Sequence, residues 1–386
     1  MSRRNTTQWS VRCSPADTGM SEKGPVAREV ELSSSAHAIY EHFYEEGWTD
    51  GLPIVPPTEE LVEAMLEYTD RDRHEVVADI VPRGGQATVE KVAINSVMAG
   101  CRPEYLPVVI TAIEAMVEAP YNLYGRQTTT HPGAHLLIIN GPVRTELEVN
   151  CLQNCFGQGW RANATIGRAV RLICINIGGG IPAVTDMATH GHPGKYSYCT
   201  GEDEEGSPWT PLHVERGFDP ATSTVTALCA EAPHNVNDLV SKTPEMYLES
   251  GASAMRHLGA NGAYRSGIEG EQMMVLTAEA ANWLQERDWS KERTRQFLFD
   301  RAQNPVGVLR DRGGWGTVKQ PGFVDIENDD AMMPIVPRVE NLLLVVAGGF
   351  GRHMSAILSA AYNVSVTKPI SLKDGTPIRS VEDFRS

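Results

Sequence analysis

From Phe156 to Cys199 the chain reads FGQGWRANATIGRAVRLICINIGGGIPAVTDMATHGHPGKYSYC. Ile166, Val170, Ile173 and Ile177 recur at i, i+4, i+7 and i+11, the spacing that lines one face of a helix with apolar side chains. Gly178, Gly179 and Gly180 end that helix, because glycine accepts the left-handed conformation of a helix cap. Asp186, His190, His192, Lys195 and Cys199 follow within fourteen positions. The apolar stripe demands a core to pack against, and the titratable loop is delivered from its end. Arg161, Thr165 and Arg168 share another side of the same helix, since four and seven residues return to one face.

The rest of the chain alternates strand and helix signals. Ala36 to Glu46 suits a short helix. Pro53, Pro56 and Pro57 stiffen an extended segment, and Thr58 can cap the next helix. Thr88 to Gly100 reads as a helix, broken at Cys101-Arg102-Pro103 before another that runs to Glu118. Leu136 to Ile139 is an uninterrupted apolar run and reads as a buried strand. Ser223 to Ala230, Met273 to Thr277 and Asn341 to Ala347 read as further strands, with helices over Thr243 to Leu258, through Trp283 and Leu284, and after Ser290. Past the last strand, Gly348-Gly349-Phe350-Gly351 is expected to open a helix from Arg352 to Tyr362. Alternation of this kind predicts an α/β (or α+β) fold of layered strands and helices. A weak correspondence of two strand–glycine–helix regions suggests two related halves, 35 to 210 and 211 to 386, with most of the site in the first. Residues 1 to 34 are polar and predict a disordered tail.

The motifs WTDGLPIVPPT, ATVEKVAINSVMAGCRPEYLPVV, GWRANATIGRA and DMATHGHPGKYSYC resemble a bacterial family, uncharacterised in function, that is associated with small proteins carrying a UGSC selenocysteine or cysteine motif. The resemblance covers most of the chain from Gly47 onward. It implies no activity, but through the association it implies a tie to thiol or selenol chemistry and a small thiol or selenol protein as a partner.

Charge narrows the classes. Lys plus Arg is 34 and Asp plus Glu is 49, a net charge of −15. An acidic chain argues against nucleic acid or anionic membrane as the main partner, because phosphate binding needs a basic surface. The seven cysteines are odd in number and irregularly spaced, unlike a disulfide framework, so a reducing cytoplasm is expected. The apolar runs are too short to span a bilayer, and no apolar segment follows Ser2-Arg3-Arg4 as a secretory signal requires.

Four kinds of chemistry are legible. His190, His192 and Cys199 are metal-capable, and His131 and His135 lie on another loop. No CxxC pair or HExxH helix accompanies them, so these histidines are read as binding substrate or capping loops, with no metal. Cys101, beside Arg102, is a candidate nucleophile or redox group, because a nearby cation lowers a thiol pKa. Asp50, Asp186, His190, His192, Lys195, His213, Glu215 and Glu279 are acid–base candidates. Glu279 follows a strand, where open α/β sheets place ligands. The GGFG turn, with Arg352 and His353, is either an anion site at a helix start or a packing turn.

These features combine into a cytosolic enzyme acting on a small, polar, anionic molecule. Arg161, Asn163, Arg168, Lys195, His131 and Arg352 would bind it, and His190, His192, Cys101, Asp50 and Glu279 would carry acid–base or thiol chemistry. The alternatives are a non-catalytic binding subunit for a thiol or selenol protein and a metal-dependent hydrolase or lyase. No cofactor is indicated by a motif.

Overall fold

The computed structural model describes residues 8–13, 28–33, 35–264, 270–313, 324–359 and 364–385. Strand β1 (Gln8–Cys13) pairs antiparallel with β2 (Arg28–Ser33), setting Trp9 opposite Leu32 and Val11 opposite Val30. These two segments depart from the expected disordered tail over 1 to 34. Their local period-two alternation of apolar residues is a strand signal that the polar average conceals. The remainder of that stretch lies outside the described residues.

Helix α1 (Ala36–Glu45) is capped by Ser35, and α2 (Glu59–Leu66) by Thr58, whose hydroxyl accepts from the Leu61 N–H. A small antiparallel pair, β3 (Val76–Ile80) and β4 (Gly85–Thr88), leads into α3 (Val89–Ala99), which stops at Gly100 in the left-handed region. Then come α4 (Leu106–Met116), α5 (Leu123–Thr128), β5 (Ala134–Asn140), α6 (Pro142–Glu146) and α7 (Arg161–Asn176). Strand β6 (Cys199–Gly201), helix α8 (Leu212–Glu215), β7 (Thr224–Ala230) and β8 (His234–Asn237) follow. The remaining helices and strands are α9 (Pro244–Met255), β9 (Gln272–Leu276), α10 (Ala278–Gln285) and α11 (Lys291–Arg301), a short antiparallel pair β10 (Gln303–Pro305) and β11 (Met332–Pro334) with the short helix α12 (Val306–Leu309) between them in the chain, and β12 (Leu342–Val346), β13 (Met354–Ser359) and β14 (Val366–Pro369).

The fold is α/β (or α+β), with mixed sheets, in four layers. One sheet has the order β14-β7-β5-β6 and the other β12-β9-β13-β8. Alternate residues of each strand point to opposite faces, and the core follows that rule. Leu136, Ile138 and Leu228 of the first sheet share a cluster with Met273, Val275, Leu343 and Val345 of the second. Leu137, Ile139, Val225 and Ala227 face the other way, onto α3, α4 and α7. Met274, Leu276, Leu342 and Leu344 pack with α9, α10 and α11. The uninterrupted apolar run at Leu136 to Ile139 is explained: both its faces are covered.

Both sheets follow one plan. A central strand (β5 or β9) has a parallel neighbour on one side (β6 or β12) and an antiparallel one on the other (β7 or β13). Each antiparallel strand pairs outward with a fourth, and the fourth strands are exchanged. β8 follows β7 in the chain but pairs with β13; β14 follows β13 but pairs with β7. The chain therefore does not divide by sheet into 35–210 and 211–386, because β7 and β14 complete the first sheet.

The expected helix from Arg352 to Tyr362 is instead the strand β13 over 354 to 359, with 360 to 363 outside the described residues. Helical spacing is legible in that segment, but β9 offers it an open edge, and pairing there satisfies the backbone groups of both strands. Among the described residues no helix is long and apolar enough to cross a membrane.

Candidate functional site

Helix α7 carries the site because it packs on β5 and β6 with one side and meets two loops with the other. On its outer side, Arg168 binds Asp50 through two parallel bonds of 2.8 Å, and also donates to the carbonyls of Leu52 and Pro53. This fork pins the Gly47–Pro57 segment to the helix. One turn on, α7 reaches the Ile181–Tyr196 loop. There Thr185 accepts from the Ile181 N–H at 2.8 Å and donates to the Gly179 carbonyl, closing a tight turn that buries Asp186. An open cavity of about 1040 Å³ lies between these segments, lined among others by Tyr44, Asp50, Arg171, Asp186, His190 and Lys195.

Three charges form the polar wall. The Lys195 ammonium donates to both Asp186 oxygens, at 2.8 and 2.6 Å. Arg171 donates through Nε to the Lys195 carbonyl at 2.9 Å, and its nearest terminal nitrogen stands 3.9 Å from Asp186 Oδ2. Among the described residues the two terminal nitrogens of Arg171 make no hydrogen bond, although the side chain is only 9% exposed. Burial pushes the Lys195 pKa down, the Asp186 hydrogen bond opposes this, and the Arg171 charge adds to the fall. The wall thus carries two cations and one anion within a chain of net charge −15, and it has donors to spare.

The histidines divide. His192 accepts from the Gly194 N–H at Nδ1 (3.1 Å) and lies 3.3 Å from the Ala230 carbonyl at Nε2. Both contacts are met by the neutral ring protonated at Nε2, and burial holds its pKa below the usual value. His192 caps its loop and has no nitrogen left for proton transfer. His131 likewise accepts from Gly133 N–H and faces Glu231 at 2.7 Å, so it closes an internal pair rather than reaching the cavity. His190 is exposed at the rim.

Other expected site residues serve the fold. Asp50 lines the cavity, but both its oxygens are taken by Arg168. Arg161 is exposed and donates to the Gly100 carbonyl at 3.0 Å. The buried Asn163 amide ties Asn150 and Cys199 backbone groups together. Cys101 is buried, and desolvation pushes its thiol up to about 12 despite Arg161 and Arg168 nearby; burial outweighs the cations. Glu279 accepts from the Gly351 and Arg352 N–H groups at 2.9 and 3.1 Å, and the Arg352 guanidinium lies 4.3 Å over the Trp283 ring. The GGFG segment is thus a carboxylate-held turn between two strands. Glu215 pairs with Lys291 and Arg295, while His213 is fully buried. Cys199 sits in the core strand β6, apart from the exposed His190. Among the described residues no three His, Cys, Asp or Glu side chains are placed to hold a metal ion.

Two features escaped the sequence. Arg171 is the first; a cation inside the apolar run VRLICI was its signal, since buried arginines need a reason. The second lies behind the cavity wall. Register sets His135 of β5 opposite Cys229 of β7, and Tyr121 Oη is 2.6 Å from His135 Nδ1. Burial, then the Arg171 and Lys195 charges, hold the His135 pKa well below its usual value. The sequence names His135 but expects it on a loop, whereas it lies buried in β5; strand register is not written in spacing along one chain, so its pairing is not marked there.

No family model, curated protein or solved structure matches the chain.

Proposed function

We propose that the chain is an enzyme of a reducing cytoplasm that acts on a small anionic molecule bound in the cavity, with Arg171 as the anion fork and the Lys195–Asp186 pair as the proton-transfer group. One observation carries this reading: a buried guanidinium whose terminal nitrogens make no hydrogen bond among the described residues, stand no closer than 3.9 Å to an Asp186 oxygen and border a cavity. The nearby anion, Asp186, is bonded through both oxygens to Lys195, which leaves the guanidinium with unused donors. Planar forks match carboxylate or phosphate. Arg168 is forked by Asp50, and Arg161 is exposed and, like Arg168, does not line the cavity.

A panel of carboxylates and phosphates, screened by thermal shift, tests the reading. At least one should raise the melting temperature of the full chain. Arg171→Lys should fold normally yet bind it about 10- to 100-fold more weakly, since charge-assisted hydrogen bonds are worth about 1.5–3 kcal/mol. Unchanged affinity in Arg171→Lys and Arg171→Gln would remove the reading.

A second reading, a docking subunit for a small thiol or selenol protein, is favoured by the cavity mouth. Tyr44 and Tyr196 of the lining and Val184 and Met187 of the same loop are all exposed, and such clusters mark partner surfaces. Co-purification of a small thiol protein, lost in Tyr196→Asp, would favour it.

A further inference from the structure

The arrangement of Arg171, Asp186 and Lys195 also constrains what the anion can be. We propose that Lys195 forms an imine with the carbonyl carbon of a 2-oxo acid whose carboxylate is held by Arg171. This rests on the anion reading above and adds the substrate class.

The geometry is set by one shared oxygen. Asp186 Oδ2 lies 2.6 Å from the Lys195 ammonium and 3.9 Å from an Arg171 terminal nitrogen, so the two nitrogens are no further apart than the sum of those distances. A carboxylate bonded to the guanidinium at about 2.9 Å then leaves room for little between itself and a carbon about 3 Å from the amine. A carbonyl directly beside the carboxylate fits that span. The cavity of about 1040 Å³ is far larger than the smallest such acid, and its lining includes Ile175, Ile181, Pro182 and Tyr196 beside the polar Thr49 and His190. The substrate therefore has room for an extended tail, and Ile175, Ile181, Pro182 and Tyr196 favour an apolar or aromatic one.

The charges support the step. Arg171, Lys195 and Asp186 together carry one positive charge, and a bound carboxylate brings the site to zero. Lys195 passes a proton to Asp186, the neutral amine adds to the carbonyl carbon, a second proton moves from that nitrogen to the oxygen to give the carbinolamine, and its hydroxyl takes the Asp186 proton and leaves as water. Ammonium and ketone become iminium and water, so no net charge is created in a buried site, and no other reactant is needed. The partial burial that lowers the Lys195 pKa favours release of the first proton. Among the described side chains the cysteines offer no rival: Cys101, Cys151, Cys155, Cys174, Cys199 and Cys229 are buried, and burial raises each thiol.

The test is reductive trapping of the full chain. Phenylpyruvate is added with sodium cyanoborohydride, and the product is read by intact mass and peptide mapping. Phenyllactate, which has the carboxylate and tail but no carbonyl, is the control, and both ligands are also scored by thermal shift. The expected result is one adduct per chain, on Lys195, absent with phenyllactate. It should be absent in Lys195→Arg and at least tenfold slower to form in Arg171→Gln. Phenyllactate should still raise the melting temperature of Lys195→Arg. An Arg171-dependent thermal shift with no adduct, or an adduct on other lysines, overturns the imine and leaves the anion reading standing. Neither shift nor adduct with any acid of the panel overturns both.

Discussion

Arg168 and Arg171 stand three residues apart on α7, near neighbours on the helix surface, yet they do different things. Arg168 meets an internal acid, and Asp50 keeps only 3% of its side chain exposed. Removing that acid leaves a guanidinium without its partner, so Asp50→Ala should cost about 3–5 kcal/mol, read as the shift of the urea midpoint. A loss below about 1 kcal/mol would place the pair among weak surface bridges. His192 and His135 give a second expectation. Burial depresses both folded pKa values, so below the ordinary histidine value of about 6.5 the unfolded chain binds more protons than the folded one. Stability is therefore present above that pH and is lost as pH falls from about 7 to 5. His192→Gln should flatten the fall, measured as urea midpoints at the two ends of the window. An unchanged slope would mean that other groups set it.

Helix α7 is the element on which the cavity depends, and a glycine sets its approach to the loop. A Cβ at Gly167 would lie 2.6 Å from Ser197 Oγ and 2.6 Å from the Tyr198 backbone N. A hydroxyl can rotate away, but the backbone nitrogen cannot. Gly167→Ala should therefore push the helix off the segment that carries Lys195, costing about 1–3 kcal/mol as overpacking does. Ligand-induced thermal shift should weaken with it. Full stability and full ligand response in this variant would show that the loop is set from elsewhere. The GGFG turn shows the opposite case. Its glycines stand in front of a strand, and Glu279 accepts from the Gly351 and Arg352 N–H groups while the Gly348 N–H donates to the Cys151 carbonyl, rather than lying open for an anion.

At the scale of the molecule, the exchanged outer strands tie the two sheets into one folding unit. A fragment of residues 35 to 231 keeps β5, β6 and β7 but loses β14, leaving one edge of β7 unpaired. Exposed strand edges recruit other chains, so this fragment should elute as oligomers on size exclusion and melt without a cooperative transition. A monomeric fragment with a sharp melt would mean that the exchanged strand is dispensable. The same topology explains why residue boundaries near 210 look natural in sequence and fail in space.

The sequence by itself determined the elements whose cause is local. The stripe from Ile166 to Ile177 specified α7 because its period fixes a buried face, Thr58 and Ser290 specified helix starts through their own hydroxyls, and the apolar run at Leu136 to Ile139 specified a strand covered on both sides. It also gathered Lys195, Asp186 and His190 into one loop, where all three line the cavity. Tertiary structure decided the rest. Whether 354 to 359 became helix or strand depended on the open edge of β9, and whether Arg168 or Arg171 faced the cavity depended on Asp50, which is 118 positions away along the chain. Cys101 followed the same rule, since the cations beside it are visible in sequence and the burial that outweighs them is not. Pairing, burial and charge compensation join residues distant in the chain, and spacing along the chain carries no record of those distances.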